Sequence, residues 1–132
     1  MTTNQAIAGT TILLAEDEYL IADDLARDLV EHGLTVLGPV ATLDAALAAV
    51  AEQRTDLAVL DINLRGRPVF PLADLLQARQ VPFIFATGYD ADVIPDRFAT
   101  VPRHGKPLQT RELLAALDNL ANGAAPEPVS GS

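Results

Sequence analysis

The sequence predicts a single doubly wound α/β domain built on a mostly parallel sheet. Two observations carry that expectation. Short aliphatic or β-branched runs alternate five times with segments of helical spacing or their remnants. In addition, one run, Leu57 to Leu60, is apolar without interruption and then stops at Asp61, as a parallel strand covered on both faces does at its carboxyl end.

Taken in order, residues 1 to 9 are small and polar with no period and read as a loose arm, so the domain spans 10–121. Thr11 to Ala15 form strand one, which runs into Glu16-Asp17-Glu18. From Tyr19 a helix carries Ile21, Ala22, Leu25, Ala26, Leu29 and Val30 on its apolar face and closes at Gly33. Leu34 to Leu37 make strand two, broken by Gly38-Pro39. Thr42 caps an alanine-rich helix reaching Gln53, with Leu43, Ala46, Leu47 and Val50 on one side.

Strand three is the run that ends at Asp61. Pro68 to Gln80 form the next helix, whose stripe is Leu72, Leu75 and Leu76; Pro68 and Pro71 fit only its first turn. Val81 to Ala86 make strand four, leading into Thr87-Gly88. Between Gly88 and Thr100, Pro95 interrupts any long helix, which leaves a single turn or loop and a fourth helix that is short or absent. Thr100 to His104 form a weak fifth strand before Gly105-Lys106-Pro107. Gln109 to Leu120 close the domain with Leu113, Leu114, Leu117 and Leu120 at helical spacing. Residues 122–132 lack the apolar content to order themselves and read as a flexible tail.

Composition narrows the function classes. A chain of 132 residues that is 49% hydrophobic supports one core. It contains no cysteine, which excludes disulfide scaffolds, thiolate metal sites and cysteine nucleophiles. Neither an export signal nor a membrane-spanning run is present, so a soluble, cytoplasmic protein is expected, with no membrane partner. Eighteen acids against nine Lys and Arg give a net charge of −9, and no basic stripe offsets it, so no nucleic-acid partner is expected.

If the strands are parallel, Glu16, Asp17, Asp61, Thr87 and Lys106 all fall at or just beyond carboxyl ends, where open α/β sheets hold their sites. Three carboxylates meeting on one rim repel one another. Oxygen-only donors without sulfur point to Mg2+. A cation, a lysine and a hydroxyl neutralise and position a phosphoryl group, and a carboxylate among them can act as the nucleophile.

These residues resemble the receiver domain of two-component response regulators, over residues 11 to about 121. That family carries an acidic pair after strand one, an acceptor aspartate after strand three, Thr or Ser after strand four and Lys-Pro after strand five; here these match Glu16 and Asp17, Asp61, Thr87, and Lys106-Pro107. The resemblance implies a flavodoxin-like five-stranded sheet ordered 2-1-3-4-5. It implies that Asp61 takes a phosphoryl group from a histidine kinase. It also implies that Mg2+ is held by Asp17, Asp61, the main-chain carbonyl of Asn63 and, mostly through water, Glu16. Lys106 would hold the phosphoryl oxygen, Thr87 would move to hydrogen-bond it, and Lys106-Pro107 would be cis. Phe83 to Tyr89 is similar to the signature of a subfamily named for its Phe-Ala-Thr-Gly-X-Tyr motif, many of whose members are lone receivers in alphaproteobacterial stress signalling. Here Tyr89 follows Gly88 directly, and His104 replaces the usual aromatic switch two residues before the lysine; Tyr89 is the candidate substitute.

His32 and His104 have no partner motif and read as structural. Arg65 and Arg67 either meet a kinase or face solvent. The leading function is a phosphoacceptor module without its own output domain, not a conventional enzyme, working through contacts with a kinase and with a downstream regulator or phosphotransfer protein. Two other classes stand beside it: a receiver-like scaffold that is not phosphorylated, and an Mg2+-dependent phosphohydrolase. Asn63 weighs against the hydrolase, because haloacid-dehalogenase-like phosphatases use a second acid at that position.

Overall fold

Leu57–Asp61 form the central strand of the protein, with every residue buried. In the computed structural model, which describes residues 7–88 and 93–122, the chain runs β1 (Thr11–Ala15), α1 (Tyr19–Glu31), β2 (Thr35–Val40), α2 (Leu43–Glu52), β3 (Leu57–Asp61), β4 (Asn63–Leu64), β5 (Arg67–Pro68), α3 (Phe70–Ala78), β6 (Phe83–Thr87), a 3-10 turn (Asp96–Phe98), β7 (Arg103–Gly105) and α4 (Thr110–Ala121). Five strands form one parallel sheet in the order β2-β1-β3-β6-β7, the expected 2-1-3-4-5 arrangement with β6 and β7 as fourth and fifth. Register aligns Ala15 with Leu60, and Asp61 with Ala86. The carboxyl ends of β1, β3 and β6 therefore finish on one level.

Period-two alternation sorts the buried side chains to the two faces of the sheet. Ile12, Leu14, Leu57, Val59 and Ile84 face α1 and α4, where they meet Leu25, Leu29, Leu113 and Leu117. Leu13, Ala58, Leu60, Phe83 and Phe85 face α2 and α3, with Ala46, Val50, Leu72, Leu76 and Phe98. Among the described residues the segment before β7 contributes a 3-10 turn, Asp96–Phe98, in keeping with a short fourth helix.

Several local expectations are corrected. The loose arm is too long as drawn, because Ile7 is fully buried in the α1/α4 core and Gly9 N–H donates to Gly33 O at 2.7 Å; residues 1–6 lie outside the described residues. The apolar stripe of α1 is narrower than expected, since Ile21 is 39% and Val30 56% exposed. β2 does not stop at Gly38-Pro39 but continues to Val40, with a register irregularity against β1. Proline is tolerated there because β2 is an edge strand, and Gly38 is required because its φ is +107° and a Cβ would lie 2.7 Å from Val40 N. Helix α3 begins at Phe70, not Pro68, with Pro71 in its first turn; Pro68 belongs instead to a two-stranded antiparallel hairpin, β4–β5. β6 and β7 are each shifted toward the carboxyl side of the runs expected for them. The tail from residue 123 lies outside the described residues.

Candidate acidic site at the carboxyl rim

Each candidate side chain is placed by the end of a strand. Glu16 follows β1 directly, and its N–H donates to Val40 O at 3.0 Å. Its own carboxylate is buried and accepts the Glu18 N–H at 3.0 Å, at the start of α1. Asp61 is the last residue of β3 and is also buried. The pairing of Thr87 with Gly105 sets Lys106 one step beyond, where its N–H donates to Thr87 O at 2.7 Å. Lys106-Pro107 is cis, as the resemblance implies, and Gly38-Pro39 is a second cis bond.

The result is a convergence of residues up to ninety positions apart. One carboxylate oxygen from each of Glu16, Asp17 and Asp61 lies within 4.8 Å of the other two. Lys106 Nζ stands 2.8 Å from Asp61 Oδ2 and 3.2 Å from Glu16 Oε1. Thr87, the last residue of β6, is buried, and its Oγ1 donates a long hydrogen bond, 3.4 Å, to His104 O. Asn63 begins β4 two residues beyond Asp61; its N–H donates to Asp61 Oδ1 at 3.4 Å, and its side-chain Oδ1 is occupied by the Gly66 N–H at 2.7 Å. Tyr89, the switch candidate, lies outside the described residues.

Electrostatics follow from burial. Removal from water raises the Glu16 carboxyl to about 7, reinforced by the charge of Asp61 and opposed by the Glu18 N–H and Lys106. Burial likewise raises Asp61, while Lys106 pulls it back. For Lys106 burial acts downward, yet the hydrogen bond and charge of Asp61, with those of Glu16, outweigh it and push the ammonium up to about 12. One ammonium thus serves two buried carboxylates, with Asp17 next to them. This surplus of negative charge, offered by oxygen donors alone, fits a hard divalent cation.

Two contacts were not foreseen. Glu18 Oε1 reaches to 3.7 Å from Lys106 Nζ, a third acid around the same ammonium; its place in the Glu-Asp-Glu run was the available signal. The Arg65 backbone N–H donates to Asp17 Oδ2 at 2.9 Å from the hairpin tip. Arg65-Gly66 between two short runs is turn chemistry, but its long-range partner leaves no trace in sequence spacing.

No family model matches the chain. Among curated proteins, it is 37% identical over 98 residues to the phyllosphere-induced regulator PhyR of Methylorubrum extorquens, covering 72% of this chain and 35% of that one. Among solved structures, SdrG from Sphingomonas melonis Fr1 is 40% identical with a TM-score of 0.74, the match covering 91% of this chain and 98% of SdrG. A response regulator receiver protein from Sinorhizobium medicae shares the fold, with a TM-score of 0.74 at 24% identity over 86% of this chain and 95% of that one. The chain belongs to the response-regulator receiver family. Its relatives are receivers of two-component signalling, and the Glu16, Asp17 and Asp61 carboxylates form an acidic group that could hold a metal ion. The chain spans about a third of the length of PhyR. Among the described residues no helix is long and apolar enough to cross a membrane.

Proposed function

We propose that this receiver accepts a phosphoryl group on Asp61 from a histidine kinase and signals through protein contacts. The observation that carries the reading is the meeting of Glu16, Asp17 and Asp61 with Lys106 Nζ, 2.8 Å from Asp61 Oδ2. An Asp61 carboxylate oxygen attacks phosphorus in line, the nitrogen–phosphorus bond of the kinase phosphohistidine breaks, and its electron pair leaves with the imidazole, which takes up a proton. A water later attacks the acyl phosphate and releases inorganic phosphate.

Glu16 and Asp17, with Asp61 and the Asn63 main-chain carbonyl, are the residues that would hold Mg2+, which supplies positive charge to the transferring oxygens. Lys106 exchanges its Asp61 partner for a phosphoryl oxygen, held charged across the physiological range by a pKa near 12. Thr87 gives up its long bond to His104 O and turns its hydroxyl toward the phosphoryl group. The acyl phosphate carries about −1.5 to −2 charge where the carboxylate carried −1, and this change at Asp61 biases the positions of Lys106 and Thr87. A beryllofluoride-activated conformation of SdrG, 41% identical to this chain with a TM-score of 0.71, supports the reading. The partners in this scheme are the kinase and a downstream regulator or phosphotransfer protein.

The test is acetyl phosphate or beryllofluoride with Mg2+, followed by mass and by amide NMR. The parent chain is expected to gain the adduct and shift resonances around Thr87 and Lys106, while Asp61→Asn does neither. An adduct of undiminished yield in Asp61→Asn would overturn the proposal.

A further inference from the structure

We infer that the β4–β5 hairpin is a positioning device for the metal ligand Asp17, and that it acts through the backbone N–H of Arg65. The inference rests on the reading of Glu16, Asp17 and Asp61 as Mg2+ ligands and adds a residue that carries no metal-binding atom itself.

Asp17 lies just past the end of β1 and precedes α1, so nothing in its own element fixes its carboxylate. The hydrogen bond it receives is from Arg65 N–H, 2.9 Å from Oδ2 and 48 residues away in sequence. Among the described residues Oδ1 has no hydrogen-bond partner, so this contact leaves one oxygen uncommitted beside Glu16 and Asp61.

The hairpin is built to deliver that N–H. Its two-residue loop holds Arg65 at φ +51° and Gly66 at φ +86°, the pair of positive values that a tight hairpin turn needs. Glycine adopts such a value freely, whereas arginine does so only where its surroundings impose it. Three contacts do so: Val69 N–H donates to Ile62 O at 2.8 Å across the base, Gly66 N–H donates to Asn63 Oδ1 at 2.7 Å, and Arg67 Nη1 meets Asp44 Oδ1 on α2 at 3.2 Å. The Arg65 guanidinium makes no ion pair among the described residues, so the backbone and not the side chain is the working part. Groups that orient metal ligands typically change metal affinity by about 10–100-fold when removed.

The experiment is Mg2+ titration of the full chain by calorimetry, with amide hydrogen exchange as a separate readout. Arg65→Gly keeps the N–H and the left-handed backbone and is expected to bind Mg2+ within about twofold of the parent. Arg65→Pro has no N–H and cannot take the positive φ of the hairpin tip, so no donor is presented to Asp17, and it is expected to bind about tenfold or more weakly. Equal affinity of Arg65→Pro and Arg65→Gly would overturn the inference. Should Arg65→Pro not fold, Asp17→Ala decides: the Arg65 amide is expected to exchange at least about fivefold faster, while the Val69 amide keeps its protection. Unchanged Arg65 exchange overturns the inference, and so does loss of both protections, which would make the bond a support for the hairpin alone. A parent chain that takes up no Mg2+ is a different result, since it removes the metal reading on which this inference rests.

Discussion

The two faces of the sheet solve the same packing problem with different materials. Under α1 and α4 the buried side chains are all aliphatic, from Ile7 and Ile12 to Leu117. Under α2 and α3 lie all four phenylalanines of the chain, Phe70, Phe83, Phe85 and Phe98, with ring centroids 5.3–6.2 Å apart in edge and stacked pairs. The first face has two full helices to cover it, joined by Thr110 Oγ1 donating to Asp28 Oδ2 at 2.7 Å. On the second, the described residues before β7 contribute a 3-10 turn of three residues. Large rings pack against one another on this face, and Phe98, on that turn, is fully buried.

Deleting Phe98 therefore separates the faces most strongly. Phe98→Ala is expected to lose about 4 kcal/mol in urea unfolding, against about 3 kcal/mol for Leu117→Ala on the aliphatic face. It should also remove exchange protection at Ala99 and Val101, whose N–H groups donate to Asp96 O and Phe98 O. Loss spread evenly over both faces would break the comparison.

The rim where the faces meet should respond to pH, as neither face does. Glu16 is raised to about 7, and Asp61 is raised, so the folded state holds their protons more tightly than the unfolded chain. That contribution is full below the ordinary carboxylate range, around 4.5 for Glu16, and is lost as pH climbs through about 7. Metal-free protein is expected to be less stable at pH 8 than at pH 5 by thermal melting. Glu16→Gln should flatten the profile, and Mg2+ should stabilise more at pH 8 than at pH 5, since it competes with protons for the same oxygens.

Smaller effects follow from the polar ties. Thr110→Val should cost about 1 kcal/mol by breaking the α1–α4 hydrogen bond. Loss of the forked pair between Arg97 and Asp74, 2.8 Å and 3.0 Å, should leave global stability nearly unchanged and loosen only the 3-10 turn, an effect that salt mimics. A global loss as large as that of Phe98→Ala would show the ion pair, not the rings, to be the anchor.

Much of this architecture was legible because its signals repeat. Alternating runs marked the strands, and acids or Lys-Pro at their ends marked the rim, so Glu16, Asp17, Asp61 and Lys106 could be placed together before any coordinates. The hairpin was not legible, because two-residue strands such as Asn63–Leu64 and Arg67–Pro68 have no periodicity to detect. Ile7, a branched aliphatic residue flanked by alanines in a short stretch without period, gives no pattern either. Nor does spacing show that Pro39 lies on an edge strand, where its missing N–H does no harm. The Arg65–Asp17 bond belongs to a last class, contacts made by backbone, in which the identity of the side chain carries almost no information.

Confinement of the phenylalanines to one side has a spectroscopic corollary. Ring currents should scatter the methyl resonances of Val50, Leu60, Leu72 and Leu76 upfield, while those of Leu25, Leu29 and Leu113 crowd near their random-coil positions. A single methyl spectrum would then report separately on the two halves of the interior.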